Sequence, residues 1–306
     1  MTSLLTNGTA LAVLQNINQV QRDLETTQER ISSGMRVKSA ADNAAYWSIA
    51  TTMRSDNASL SAVKDALGVG SATLDVASGA LNSTVDLVGQ IKTKLVAARE
   101  PGLDRAKVQA EIAQLQATLK DIAGSASFIG ENWLSQDSAA PAYNATKTIV
   151  ASFNRTTTSV SVGTIDIDSS NMKLFDANDQ SGIVDRDRTI NATTVALATM
   201  DISGLSDSSA DLQTLDDYIS IADAALGDVA SAASSIGSAR RRVSMQQDFV
   251  NTLMDSITTG IGQLVDADMT RESTRLQALQ AQQQLAIQSL SIANSSSQQI
   301  LKLFGG

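Results

Sequence analysis

The sequence predicts a mainly α fold: a long antiparallel helical rod with paired N- and C-terminal coiled-coil helices and a small β-rich outer insertion. Three observations lead there. Apolar residues recur at three- and four-residue steps near both ends of the chain. Of 306 residues only 2 are Pro, so the strongest helix breaker is almost absent. Aromatic residues make up 3% of the chain, whereas a compact globular core draws much of its buried area from large rings. Ala- and Leu-rich helices packed on one another are the alternative such a composition leaves.

In chain order, Leu11, Leu14, Ile17, Leu24 and Ile31 recur at spacings of three and seven and are expected on one face of a first helix. Ser32-Ser33-Gly34 ends it, with Gly suited to a left-handed cap. Ser39-Ala-Ala-Asp42 has the form of a capping box, and no Pro follows until Pro101. A helix over 43–99 would run about 85 Å at ~1.5 Å per residue. Glu100-Pro101-Gly102 stops it, and a second, antiparallel helix is expected from about Asp104 to Ala126 with Val108, Ile112, Leu115, Leu119 and Ile122 inward. Residues 135–204 change character. Strands are expected over 146–153 and 159–162 around a polar turn, with β-like pieces near 165–167, 183–184 and 193–198.

Helix resumes near Asp211. Val243, Val250, Ile257 and Leu264 recur every seven residues, with Leu253 between them. The last segment alternates threes and fours through Leu276, Leu279, Gln283, Ala286, Leu290, Ala293, Ser297, Ile300 and Phe304. Gln, Ala and Ser fill nearly half of that seam. An isolated terminal helix of this kind buries too little apolar area to offset its ordering entropy, so both ends are expected to order only when partners complete the packing. The organisation implied is 1–40 plus 267–306 as an inner coiled-coil polymerisation domain, 41–136 plus 205–266 as a helical rod domain, and 137–204 as an outer β-rich insertion.

Composition also excludes chemistry. Cys and His are both 0, which removes disulfides, thiolate metal sites, thiol nucleophiles and the usual general base. No enzyme activity and no cofactor are expected. A net charge of −9 speaks against nucleic acid, and no apolar run of about 20 residues speaks for membrane insertion. The N-terminus lacks the basic start and compact apolar run of a secretory signal peptide.

Several local features have a sharper and a plainer reading. Arg240-Arg-Arg242, on a helix of an acidic chain, is read as packing and ion pairing within or between subunits rather than a nucleic-acid or lipid patch. Asp176–Asp187 resembles a calcium loop only loosely, because Ser181 and Asp187 stand where Gly and Glu are needed. Asp266 and Asp268, two apart on a helix, diverge too far for paired acid–base work and are placed at a helical joint, meeting Arg271 or Arg275. Trp133 is read as packed at the base of the β-region. Asn144-Ala-Thr and Asn191-Ala-Thr are sequons that so Ser/Thr-rich a chain produces by chance.

Two motifs then stand out. Arg30-Ile-Ser-Ser-Gly-Met-Arg-Val-Lys-Ser-Ala-Ala-Asp-Asn-Ala-Ala45 resembles the N-terminal signature of bacterial flagellins, through Arg30, Gly34, Arg36 and Asp42. Val265-Asp-Ala-Asp-Met-Thr-Arg-Glu272 resembles their D-A-D-x-x-x-E segment, through Asp266, Asp268 and Glu272. The Gln/Ala/Asn-rich run 282–304 resembles the family's C-terminus, and Tyr46-Trp47 and the residues after them its alphaproteobacterial, rhizobial-like branch. The resemblance covers roughly 1–135 and 205–306.

It implies a secreted structural subunit that self-assembles through its terminal helices into the hollow helical filament of the flagellum, for swimming. Implied partners are other flagellin copies, the flagellar type III export apparatus, a secretion chaperone, the filament cap and the hook-junction proteins. A flagellar hook–filament junction protein is the alternative with similar ends. Such proteins show an S-P-S-D-D-P-like signature, where Ser39–Ala44 carries alanine at both proline positions. The segment 90–97 also aligns with the enteric Q-R-V-R-E-L-A-V patch read by the vertebrate Toll-like receptor for flagellin. Ile91 replaces an arginine there and Lys94 a glutamate, so weak stimulation is expected.

Overall fold

The computed structural model describes residues 7–141, 143–156 and 158–304, with side chains through residue 295. Among the described residues five helices carry the fold: α1 (Gly8–Ser33), α2 (Ala44–Ala97), α3 (Arg105–Ser125), α4 (Ser209–Val265) and α5 (Met269–Phe304). Between α3 and α4 lie β1 (Ser127–Phe128), β2 (Glu131–Asn132), β3 (Ser135–Gln136), β4 (Thr146–Arg155), β5 (Val160–Asp168), β6 (Phe175–Asp176), β7 (Arg188–Ile190) and β8 (Thr193–Val195), with a 3-10 turn at Leu197–Thr199. The chain divides into two compact units: Met1–Asn57 with Asp255–Gly306, and Ala58–Met254.

The core of the second unit is a heptad repeat. On α2, Leu60, Leu67, Leu74, Leu81, Val88 and Leu95 recur every seven residues, and from Leu67 onward each is wholly inaccessible to solvent. Val63, Ala77, Thr84, Ile91 and Ala98 fill the alternate seam position, all buried. Facing them, α4 buries Ala222, Ala225, Val229, Ala232, Ile236, Ala239 and Val243 in three–four alternation. A strict seven-residue period holds one seam toward the partner helix along its length.

Ion pairs fix the direction and register of this pairing. Arg99 meets Asp216 at 2.6 Å, Lys92 meets Asp223 at 2.5 Å and Arg240 meets Asp75 at 2.5 Å. Each step back along α2 is matched by an equal step forward along α4, as an antiparallel pair without a stutter requires. Arg240 thus does the intramolecular pairing expected of it, and Arg241 donates to Ser238 Oγ at 3.3 Å.

Helix α3 packs inward through Ile112 and Leu119, both fully buried, with Val108, Leu115 and Ile122 half-buried. Its start is tied by a buried guanidinium. Arg105 donates to Ala98 O at 3.0 Å, to Leu205 O at 3.3 Å and to Asp207 at 2.7 Å.

The β-region rests on this helical frame. Strands β4 and β5 form an antiparallel hairpin from Thr146↔Asp168 to Arg155↔Val160, with a register shift between Val150 and Ser152. Ile149 seats on Gly70 of α2, where an added Cβ would lie 2.5 Å from Ile149 Cγ2. The β7–β8 hairpin is pinned to α4 at two points. Asp217, 3% exposed, accepts from Asn191 at 2.6 Å, Thr193 at 2.9 Å and Gln213 at 3.2 Å, while Asp228 receives Arg186 and Arg188. Burial pushes the Asp217 carboxyl up, but those donors outweigh it and hold it below its ordinary value.

Some expectations need correction. The segment 165–167 is part of β5, and 193–198 divides between β8 and the 3-10 turn. Ile183 and Val184 form no strand; their N–H groups bond Lys173 O at 2.9 Å and Leu174 O at 3.0 Å across a turn. The capping box is displaced by one residue. Asp42 reaches back to Ser39 N at 2.9 Å and Lys38 N at 3.0 Å inside a turn, whereas Asn43 caps α2 by accepting from Tyr46 N at 3.1 Å. Helix α4 also contains an 18-residue window of mean hydropathy 1.2, enough by length and composition to cross a membrane. Of that window 33% is buried, and its Ala222, Ala225, Val229, Ala232 and Ile236 belong to the heptad seam turned toward α2.

Trp133 is 4% exposed and donates to Glu131 at 3.1 Å. Asp176, the first residue of the loose calcium-loop pattern, is occupied by protein donors. Lys173 Nζ lies 2.6 Å away, and Ser138 N at 3.1 Å and Asn178 N at 3.0 Å also donate to it. Burial pushes this carboxyl up, yet the Lys173 ammonium and the N–H donors outweigh it and hold it far below the carboxylate range.

Candidate assembly element and linker crossing

Two features of the first unit bear on function: the pairing of α1 with α5, and the crossing of the linkers that join them to α2 and α4. Asn7 caps α1, accepting from Ala10 N at 3.1 Å, and Gly34 ends it at φ 71°, its N–H bonded to Arg30 O at 2.9 Å. That left-handed φ is open to glycine at little cost. Asp268 caps α5 by accepting from Thr270 N at 3.0 Å and Arg271 N at 3.1 Å. It therefore takes the backbone of Arg271, and among the described residues no ion pair joins Asp266 or Asp268 to Arg271 or Arg275.

Leu276, Gln283, Leu290 and Ala293 are half-buried, and Leu279 and Ala286 buried. Ile300 and Phe304 lie on the helical backbone, but their side chains fall outside the described residues. The face of α1 differs from the expectation. Ala10, Val20, Leu24 and Thr27 are buried, with Val13, Ile17 and Ile31 half-buried between them, whereas Leu11 is 56% and Leu14 42% exposed. Steps of three fall about 60° short of a full turn at ~100° per residue. Two such steps from Leu11 to Ile17 therefore carry the chain about a third of the way around the helix, off the face that holds Leu24.

Among the described residues the apolar contact between the helices is thin: Val20, Leu24 and Leu279 form its cluster, with Leu276 against it. Polar links extend it. Arg30 pairs with Glu272 at 3.3 Å, the carboxylate 8% exposed, and Asn7 Nδ2 donates to Ala293 O at 3.1 Å. Apolar side chains also face outward on α5: Leu285 is 61%, Ile287 55% and Ile292 69% exposed.

At the crossing, the segments 34–37 and 264–267 touch through their backbones. Met35 bridges Asp266 in antiparallel sense. Arg36 N and Val37 N both donate to Val265 O, at 2.6 and 3.1 Å, and Ala267 N donates to Gly34 O at 2.9 Å. Arg36 Nη2 reaches Leu264 O at 2.9 Å while its guanidinium stands 5.8 Å from the Tyr46 ring centroid. Beneath, Val37, Ala50 and Val265 form a buried cluster with Met35, Ile261 and Leu264 packed against it. The two N–H donors of Ser39 and Lys38 hold the Asp42 carboxyl below its ordinary value. Arg30, Gly34, Arg36, Asp42, Asp266, Asp268 and Glu272 are thus the caps, turn and cross-links of one crossing. Nothing in this set of donors and acceptors offers a nucleophile with a base, and the described residues hold no group of three acidic side chains placed for a metal ion.

Residues 4–139 match the bacterial flagellin N-terminal helical region, and residues 219–304 match the bacterial flagellin C-terminal helical region. The chain is 47% identical over 323 residues to Flagellin C of Rhizobium meliloti (strain 1021), covering 99% of each chain. It is 41% identical over 396 residues to Flagellin A of Rhizobium meliloti, covering 99% of this chain and 100% of that one. It is 39% identical over 311 residues to the flagellin of Brucella melitensis biotype 1, covering all of both. The chain therefore belongs to the bacterial flagellin family, the non-enzymatic structural subunits exported to the flagellar filament outside the cell.

Proposed function

We propose that the α1–α5 pair is the polymerisation element, and that its residues serve two interfaces. Ile17, Leu24, Ile31, Leu276, Leu279, Ala286, Leu290 and Ala293, continued by Ile300 and Phe304, close the pair within one subunit. Leu11 and Leu14, with Leu285, Ile287 and Ile292, meet neighbouring copies. The outward apolar side chains on a pair with so thin an inner seam carry this reading: such surface is costly in water until another copy covers it. A head-to-tail contact that does not close on itself then generates a helical filament.

In this proposal 1–40 plus 267–306 acts as the inner polymerisation domain, 41–136 plus 205–266 as the helical rod and 137–204 as the outer insertion. The export apparatus, a secretion chaperone, the filament cap and the hook-junction proteins are its further partners. The hydropathy of α4 belongs to its coiled-coil seam, not to a membrane span. Weak stimulation of the Toll-like receptor also belongs to the proposal. Ile91 is fully buried, and Lys94 lies 2.5 Å from Glu111. A cell reporter response of enteric potency would refute that part.

Electron microscopy of the seeded full chain, beside a chain lacking residues 267–306, tests the main reading. Uniform hollow filaments from the first and soluble monomers from the second are expected. Filaments from the truncated chain would overturn the assignment. The charged variant Leu290→Asp should likewise block assembly while leaving the Ala58–Met254 unit helical, because it places a carboxylate in the seam.

A further inference from the structure

The start of α1 carries a chemical feature that neither packing nor backbone geometry explains. Gly8 sits in the first turn of the helix with ordinary negative φ, and nothing lies within 4 Å of where its Cβ would be. Any helix former would fit there with less entropic cost. What glycine does supply is an unhindered backbone nitrogen directly after an asparagine.

From this juxtaposition we infer that Asn7–Gly8 is a site of spontaneous deamidation whose rate reports whether α1 is paired with α5. The Gly8 amide nitrogen, having given its proton to solvent base, attacks Asn7 Cγ. A C–N bond forms, the Cγ–Nδ2 bond breaks, and Nδ2 leaves as ammonia. Water then opens the five-membered succinimide. Addition at Cγ gives aspartate; addition at the main-chain carbonyl gives isoaspartate, with the chain routed through Cβ and Cγ. The balance is one water consumed and one ammonia released, with no oxidant or cofactor.

Pairing opposes the first step. Asn7 Oδ1 accepts from Ala10 N at 3.1 Å and from Thr9 Oγ1 at 2.6 Å, while Nδ2 donates to Ala293 O at 3.1 Å. The side chain is thus held forward over the first turn and across to α5, and Cγ cannot fold back onto Gly8 N without releasing these bonds. When the terminal helices are apart, the bond to Ala293 O is gone, and the cap bonds within the first turn last only as long as that turn stays wound.

The product differs from the parent at the position that links the helices. Aspartate still caps α1 well, but its carboxylate has no hydrogen to give Ala293 O, and two oxygens would face each other. Isoaspartate adds a backbone carbon and breaks the cap. Either product marks a copy that has stayed unpaired and makes it a poorer partner.

The full chain is held in mildly alkaline buffer as monomer and as seeded filament, and the tryptic peptide 1–22 is followed by mass spectrometry. Asn16–Ile17 and Asn18–Gln19 in the same peptide serve as internal references. Conversion confined to Asn7 is expected in the monomer, slowed about tenfold in the filament. Gly8→Ala should suppress it while leaving assembly intact. Asn7→Asp should raise the protein concentration needed for filament growth about tenfold.

Conversion at Asn7 no faster than at Asn16 or Asn18 in the monomer would overturn the inference, as would equal rates in monomer and filament. The filament arm rests on the assembly reading above. The monomer arm and Gly8→Ala do not, so a failure to polymerise and a failure to cyclise give different results.

Discussion

The α2–α4 and α1–α5 pairs are written in the same seven-residue grammar and filled to different degrees. On α2, Leu or Val occupies the same heptad position from Leu60 to Leu95, and almost none of it reaches solvent. In α1–α5 the equivalent positions hold Ala10, Thr27, Gln283, Ala286 and Ala293, and among the described residues the apolar cluster reduces to Val20, Leu24, Leu279 and Leu276. A Leu-filled seam supplies enough burial to order a helix pair within one chain. One filled by Ala, Thr and Gln leaves the ordering entropy of two helices unmatched. Under the proposed function the two pairs have different tasks: one builds the subunit, the other waits for a neighbour.

The same truncation in both pairs should break this comparison if it is wrong. Leu81→Ala, at a fully buried position, should lower the stability of the Ala58–Met254 unit by about 3 kcal/mol, read by chemical denaturation of the monomer. Leu24→Ala, 6% exposed in the thin pair, should leave that monomer transition in place and instead raise the concentration at which filaments grow. A large loss of monomer stability from Leu24→Ala would mean that the terminal helices are already ordered in the free chain.

Second in size is the guanidinium that ties α3 to the end of α2. Arg105 is 7% exposed and donates to two carbonyls and to Asp207. Arg105→Ala leaves both carbonyls without their donor and should cost about 2 kcal/mol. Arg105→Lys should recover only part of this, since an ammonium cannot span three acceptors fixed to a planar fork. Thermal unfolding of the two variants beside the parent checks the order.

Much of the helical frame was legible because its punctuation is local. Pro101 and Gly102 end α2 and set off α3, and Asp104 caps α3 by accepting from Lys107 N at 3.3 Å; these signals lie within a few residues of what they control. The period of α5 was legible because it alternates threes and fours without a gap. On α1 the leucines at 11 and 14 drew the expected face toward themselves, and the smaller Ala10, Val13 and Thr27 that hold the true face gave little hydrophobic signal. The Leu60–Leu95 heptad is as plain as any pattern in the chain, and counting it would have identified the strong seam. The anchors of the β-region had no such signal. Asp217 meets Asn191 and Asp228 meets Arg188 across 26 and 40 residues, a partnership that depends on how the chain returns and not on local spacing.

A smaller effect tests how that region is seated. Gly70→Ala gains helix propensity of about 1 kcal/mol but forces its Cβ to within 2.5 Å of Ile149 Cγ2. A clash at the branch of a β-branched side chain relieves itself only by moving the strand. A net loss of about 1 kcal/mol is expected. Ile149→Ala in the same background should return part of it, because it removes the atoms that collide. If Gly70→Ala stabilises the protein outright, the β4–β5 hairpin does not bear on α2.

The smallest effect separates two carboxylates that lie side by side in the β-region. Asp176 is satisfied by Lys173 and several N–H groups and held far below its ordinary value, whereas Asp185 is raised, first by its own burial and also by the charge of Asp176. Its Oδ1 is buried with no hydrogen-bond donor among the described residues, while the other oxygen accepts from Asp176 N at 2.7 Å. A carboxylate raised in the folded state favours folding when protonated. Its ionisation therefore costs stability as pH rises from the unfolded value through the folded one. Asp185→Asn removes that charge and keeps an oxygen to accept from Asp176 N. It should gain a few tenths of a kcal/mol at neutral pH, a small figure because the site is partly open to water. The gap from the parent should close as the pH falls below the unfolded carboxylate value. Asp176→Asn should behave oppositely: a loss at neutral pH that shrinks as the parent's own carboxylate is titrated in acid. Parallel pH profiles for the two variants would show that the environments of these neighbours do not differ as their hydrogen bonds indicate.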